Sequence, residues 1–80
     1  MTTASMTKMA FRMFADFGAY LIRHPDKADL IPKGANVVFF TSKSPAFTAW
    51  SEARAADLKR RRQKVVTARQ VGRTWRIASL

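Results

Sequence analysis

The residues with the sharpest chemical content lie close together near the C-terminal end: Lys59, Arg60, Arg61, Arg62, Lys64, Arg69, Arg73 and Arg76. Residues 59–80 hold these eight cations and no Asp or Glu, whereas residues 1–58 hold seven Lys/Arg against five Asp/Glu, so the excess is +8 in the short segment and +2 in the long one. Cations near a helix C-terminus are favoured by the helix dipole, by a few tenths of a kcal/mol each. That accounts for one or two of the eight, but ordinary solvated surfaces intersperse both signs. An acid-free run of this length calls for an anionic counterpart, whether nucleic acid, acidic lipid or an acidic protein surface. Trp75, between Arg73 and Arg76, is a candidate to stack on a base, although a tryptophan in a strand more often faces a core.

Catalytic chemistry finds few parts. The one histidine, His24, precedes Pro25 at a helix end, where a histidine suits capping of the last carbonyls better than general-base work. Of the carboxylates Asp16, Asp26, Asp29, Glu52 and Asp57, only Asp26 and Asp29 are near each other, in a surface turn. The chain has no cysteine, which removes disulfides, thiolate metal sites and cysteine nucleophiles together. Thr41-Ser42-Lys43-Ser44 sits between an expected strand and helix, where phosphate can rest on helix N-terminal amides. It lacks the glycines that let a backbone approach an anion, and capping by Ser44 accounts for the segment. The expectation is a binding protein rather than an enzyme, with no catalytic residue, no metal and no cofactor.

The elements that must position the cations follow from periodicity. Over residues 7–23 the spacing is helical: Lys8, Arg12, Asp16 and Arg23 line one side, and Met9, Ala10, Met13, Phe14, Phe17, Tyr20 and Leu21 the other. Phe11 and Ile22 widen the apolar side beyond one sheet face, so Phe11, Phe14, Phe17 and Ile22 form a candidate protein-docking face competing with a plain core role. The helix ends at His24-Pro25, since proline disfavours the helical conformation of the residue before it. Residues 26–29 suit a short helical turn, and Ile31-Pro32-Lys33-Gly34 reads as a turn. Val37-Val38-Phe39-Phe40 is a strand with both faces apolar, the character of a central strand in a helix-covered sheet. Ser44-Pro45 starts a second helix over residues 45–61, with Phe47, Trp50, Ser51, Arg54 and Leu58 facing inward. Residues 64–69 form a second strand, parallel to the first because a helix separates them. Residues 74–80 alternate weakly, as a third strand hairpinned onto the second or as a tail that orders on a partner.

Phe17, Tyr20-Leu21, His24-Pro25, Ala28, Ile31-Pro32, Ala35 and Val37-Val38, followed by Pro45, Phe47, Ala55 and Val65-Val66, resemble the pattern of a small prokaryotic family, domain of unknown function 5647. The likeness runs over residues 11–69 without gaps. It implies an α-β-α-β core and no established activity. Independently of it, 80 residues with 48% apolar content and nine aromatic rings make one small α/β domain with two or three strands, a parallel βαβ crossover and helices packed on the sheet. Residues 1–6 are the expected flexible N-terminus, residues 7–69 the domain, and residues 70–80 a basic strand or tail.

The longest apolar stretch, residues 9–22, is interrupted by Arg12 and Asp16 and is shorter than the ~20 residues of a bilayer span, so no transmembrane helix or secretory signal is expected. Residues 1–15 have the acid-free amphipathic composition of a mitochondrial presequence, but a helix on a core explains the same residues, and the expected location is cytoplasmic. The leading functional expectation is a small non-catalytic protein contacting nucleic acid, RNA ahead of duplex DNA, with little sequence reading. The competing one is an accessory subunit of a larger complex, or a homo-oligomer, docking through the first helix with its basic tail against an acidic neighbour.

Overall fold

The structure, a computed structural model, describes residues 3–80. Its elements are α1 (Thr3–Arg23), α2 (Pro25–Ala28), β1 (Asn36–Thr41), α3 (Pro45–Arg60), β2 (Val65–Val71) and β3 (Thr74–Ser79). The strands form one mixed sheet in the order β1-β2-β3. β1 runs parallel to β2, from Asn36 opposite Val65 to Thr41 opposite Gln70, and β3 runs antiparallel to β2, from Ser79 opposite Val66 to Thr74 opposite Val71. Residues 74–79 are thus a strand, not a tail. The two-residue loop Gly72-Arg73 puts a positive φ of 61° at its first position only, the pattern of a hairpin turn that needs glycine there.

Strand order corrects one expectation. The apolar run Val37-Val38-Phe39-Phe40 lies at the sheet edge, and β2 is central. Both faces of β1 are covered all the same, because each is taken by a different helix. Register places Val37, Phe39, Val66, Ala68, Trp75 and Ile77 on one face and Val38, Phe40, Val65, Arg69 and Arg76 on the other. On the first face Met6, Met13 and Phe17 of α1 bury Phe39, Ala68 and Trp75. The Phe17, Phe39 and Trp75 rings meet edge to face, with centroids 5.1 to 5.8 Å apart. On the second face Ala55 and Leu58 of α3 cover Val38, Phe40 and Val65. Phe47, at the start of α3, belongs to the first cluster and links the layers at the β1 edge.

Helix α1 begins at Thr3, so residues 3–6, expected to be frayed, are helical, and Met6 is a core residue. The rest of the expected flexible segment, residues 1 and 2, lies outside the described residues. A Met6 anchor seven residues before Met13 has a simple physical basis: it extends the buried side of α1 by two turns along the same core cluster. In α3 the buried residues are Phe47, Ser51 and Ala55, with Trp50 and Leu58 half-buried, and Arg54 is exposed, not inward. The four-residue steps from Phe47 to Ala55 put Arg54 on the flank, where its guanidinium stays hydrated and leans over Trp50 at 5.8 Å. Ser44 caps α3 as expected, its hydroxyl accepting from the Phe47 N–H at 3.2 Å, with Pro45 in the first turn. His24 caps through its backbone, whose N–H donates to the Tyr20 and Leu21 carbonyls; its ring stacks on Tyr20 at 4.4 Å.

Candidate nucleic-acid interface

The basic run starts where α3 stops. The Gln63 N–H donates to the Leu58 carbonyl at 3.0 Å and the Arg62 N–H to the Lys59 carbonyl at 2.9 Å, the paired bonds of a Schellman ending. Such an ending needs a left-handed residue, normally glycine, and here Arg62 takes it with φ of 59°. Left-handed backbone costs a side-chain-bearing residue roughly 1–2 kcal/mol. The tight ending turns the chain from α3 straight into β2, so Arg62 and Lys64 stand at the joint between helix and sheet.

The eight cations do not share one environment. Asp57 takes two of them, with Arg60 Nη2 and Arg61 Nε each 3.2 Å from its carboxylate oxygens at helical i+3 and i+4 spacing. Lys59 donates from Nζ to the Leu80 carbonyl at 3.0 Å, tying the end of α3 to the end of the sheet. Arg62, Lys64, Arg69, Arg73 and Arg76 have no acidic partner among the described residues. Arg69 and Arg76 are directly opposite each other in the β2–β3 ladder, on the face away from α1. The α3 helix covers the β1 side of that face and leaves the β3 side open, so Thr74, Arg76 and Ala78 are exposed beside Arg69. Arg69 is braced by the Phe40 ring, its guanidinium carbon 5.1 Å from the centroid. Arg73 tops the hairpin, and the strand pairing sets it at the far end of the sheet from Lys64.

Two candidate roles are corrected by burial. Trp75 is 6% exposed and locked between Phe17 and Phe39, so its ring is withdrawn from any base. Its neighbours in the ladder alternate faces, which puts Trp75 inward and Arg76 outward. Phe17 is likewise core and leaves the docking face to Phe11, Phe14 and Ile22, which are 70%, 65% and 82% exposed. At residues 41–44 and the first turn of α3, the Lys43 N–H goes to Thr41 Oγ1 and the Phe47 N–H to Ser44 Oγ, so these two amides are engaged internally.

This layout of helix, edge strand, capped helix and hairpin runs through the span matched by the family model, residues 5–80. The chain belongs to the family of unknown function DUF5647. No curated protein and no solved structure matches it. The family's function is unknown, so the chemistry of this DUF5647 chain is read from its own side chains. Sequence reasoning found the eight cations but missed two features that sort them. The Asp57 pairing was readable from its i+3 and i+4 spacing. The Arg69–Arg76 juxtaposition was not, because it depends on hairpin register.

Proposed function

We propose that this chain is a small non-catalytic binding protein whose open β2–β3 face and α3 end contact the phosphates of nucleic acid. The observation that carries the reading is the Arg69–Arg76 pair: two like charges directly opposite on an exposed sheet face oppose folding by a few tenths of a kcal/mol and find relief in a bound anion. Arg62 in a left-handed conformation supports it from the same side of the argument, as local strain borne by a cation. RNA suits the surface better than duplex DNA. The face is two strands wide with no helix projecting from it to fill a major groove, and a flexible single strand can follow its cations. With Trp75 buried, contacts go to phosphates, and sequence is read little.

The test is fluorescence anisotropy with a generic single-stranded RNA and a duplex DNA of the same length at two salt concentrations. Five phosphate contacts to a single strand imply a loss of about a hundredfold in affinity over a fourfold rise in salt. Arg69→Gln with Arg76→Gln removes two contacts and cuts that loss to about twentyfold. Absence of binding at low salt, or a salt dependence untouched by the double change, overturns the proposal.

A second reading, an accessory subunit docking through α1, is favoured by a separate observation. The chain exposes 5769 Å², against roughly 4,900 Å² for a compact monomer of its mass. Phe11, Phe14 and Ile22 contribute to that excess. Sedimentation at rising protein concentration tests the homo-oligomer form of this reading, because a docking face that drives self-assembly gives a salt-insensitive oligomer.

A further inference from the structure

At the open edge of β1 a cavity of about 260 Å³ lies between α1 and α3. Its walls are apolar and aromatic, with Phe11 and Phe14 from α1, Val37 and Phe39 from β1, and Phe47 and Trp50 from α3. Thr7 of α1 and two polar groups of α3 interrupt them. Ser51 is 1% exposed, and its hydroxyl has no hydrogen-bond partner, although a helical serine ordinarily bonds back to the carbonyl four residues earlier. Arg54, one turn further on, is the only charged residue in the lining among the described residues. An unsatisfied buried hydroxyl costs roughly as much as a hydrogen bond is worth, so its survival in a cavity wall points to an occupant that accepts from it.

We propose that this groove binds a small apolar molecule bearing one carboxylate. The apolar body lies against Phe11, Phe14 and Trp50, and the carboxylate meets the Ser51 hydroxyl and the Arg54 guanidinium, which share one side of α3. A carboxylate is favoured over a phosphate monoester by charge. One guanidinium balances one negative charge, whereas a phosphate brings about −1.5 to −2 with no second cation in the lining among the described residues. Size limits the body: an apolar cavity of about 150 Å³ accommodates benzene, so 260 Å³ suits a fused two-ring system or a medium-length acyl chain. Arg54 is exposed and only leans on Trp50, so it is free to turn toward the bound group. This site is separate from the basic face, and each stands or falls without the other.

Titration of the full chain with naphthalene-2-carboxylate and, separately, with 2-naphthalenemethanol, followed by amide chemical shifts, tests the proposal. The acid produces saturable shifts at residues 10, 14, 51 and 54, and the alcohol binds about tenfold more weakly, as expected when one charge-assisted pair is lost. Arg54→Gln reduces the acid to the level of the alcohol and leaves the remaining amide positions unchanged, which shows that the variant is folded. Ser51→Ala, a change to a better helix former, weakens the acid several-fold without loss of fold. Equal binding of acid and alcohol, or no saturable shift with either, overturns the proposal. So does concentration-dependent dimerisation that shifts these same amides without any probe, because a second copy then fills the groove.

Discussion

Replacing Arg62 by glycine should make the protein more stable and a weaker binder at once. In the structure Arg62 occupies the left-handed position of a Schellman ending, with φ of 59°. A residue with a Cβ gives up roughly 1–2 kcal/mol there. Glycine relieves that cost but gains backbone freedom in the unfolded chain, which returns about 0.4–1 kcal/mol. The net gain is about 0.5–1 kcal/mol. For a domain of this size that raises Tm by roughly 2–8 °C, taking 4–8 °C per kcal/mol. The same substitution removes one of five cations without an acidic partner, so the affinity lost to single-stranded RNA over a fourfold salt rise falls from about a hundredfold to about fiftyfold. Arg62→Ala separates the two effects, since it keeps the backbone cost and removes the charge. It should bind like the glycine variant and melt like the parent. Thermal melts by circular dichroism and anisotropy at two salt concentrations read both quantities on the same samples. A glycine variant that melts below the parent would refute the backbone argument, and one with undiminished RNA affinity would refute the place of Arg62 in the interface.

Three further outcomes follow from the contacts. Asp57→Asn releases Arg60 and Arg61 from their ion pairs, so RNA affinity rises and stability falls by only about 0.3–0.5 kcal/mol per exposed pair, measured by anisotropy and urea unfolding. Ser44→Ala deletes the α3 cap and costs about 1 kcal/mol in urea unfolding, with RNA affinity unchanged because Ser44 lies at the opposite end of α3 from the basic run. Phe17→Ala empties the ring contacts with Phe39 and Trp75 and costs about 3–5 kcal/mol, a large part of the ~4–12 kcal/mol available to 80 residues, so loss of the cooperative melt is the expected readout.

Much of the fold was legible along the chain because it depends on near neighbours. The helical spacing of residues 7–23, the stop at His24-Pro25, the Ser44-Pro45 start and the strand-helix-strand order all follow from local sterics and periodicity, and α1, α3, β1 and β2 stand where these place them. Periodicity also says that Trp75 and Arg76 point to opposite sides of a strand. It does not say which side is covered, and only the docking of α1 through Met6, Met13 and Phe17 turns Trp75 inward and Arg76 to solvent. The run Val37-Val38-Phe39-Phe40 reads as central from its composition, yet lies at an edge. A helix on each face makes an edge strand as apolar as a middle one.

The candidate surfaces divide the same way. That residues 59–80 carry eight cations and no acid is a property of the chain by itself, and so is the i+3, i+4 spacing that lets Asp57 hold Arg60 and Arg61. That Arg69 faces Arg76, that α3 leaves their half of the sheet uncovered, and that Ser51 and Arg54 share a cavity wall with Phe11 and Phe14 were decided only by tertiary structure. Each of these joins residues far apart in sequence. Hairpin register and helix docking are set by the total burial of the domain, a sum over distant partners that no local window of the sequence contains.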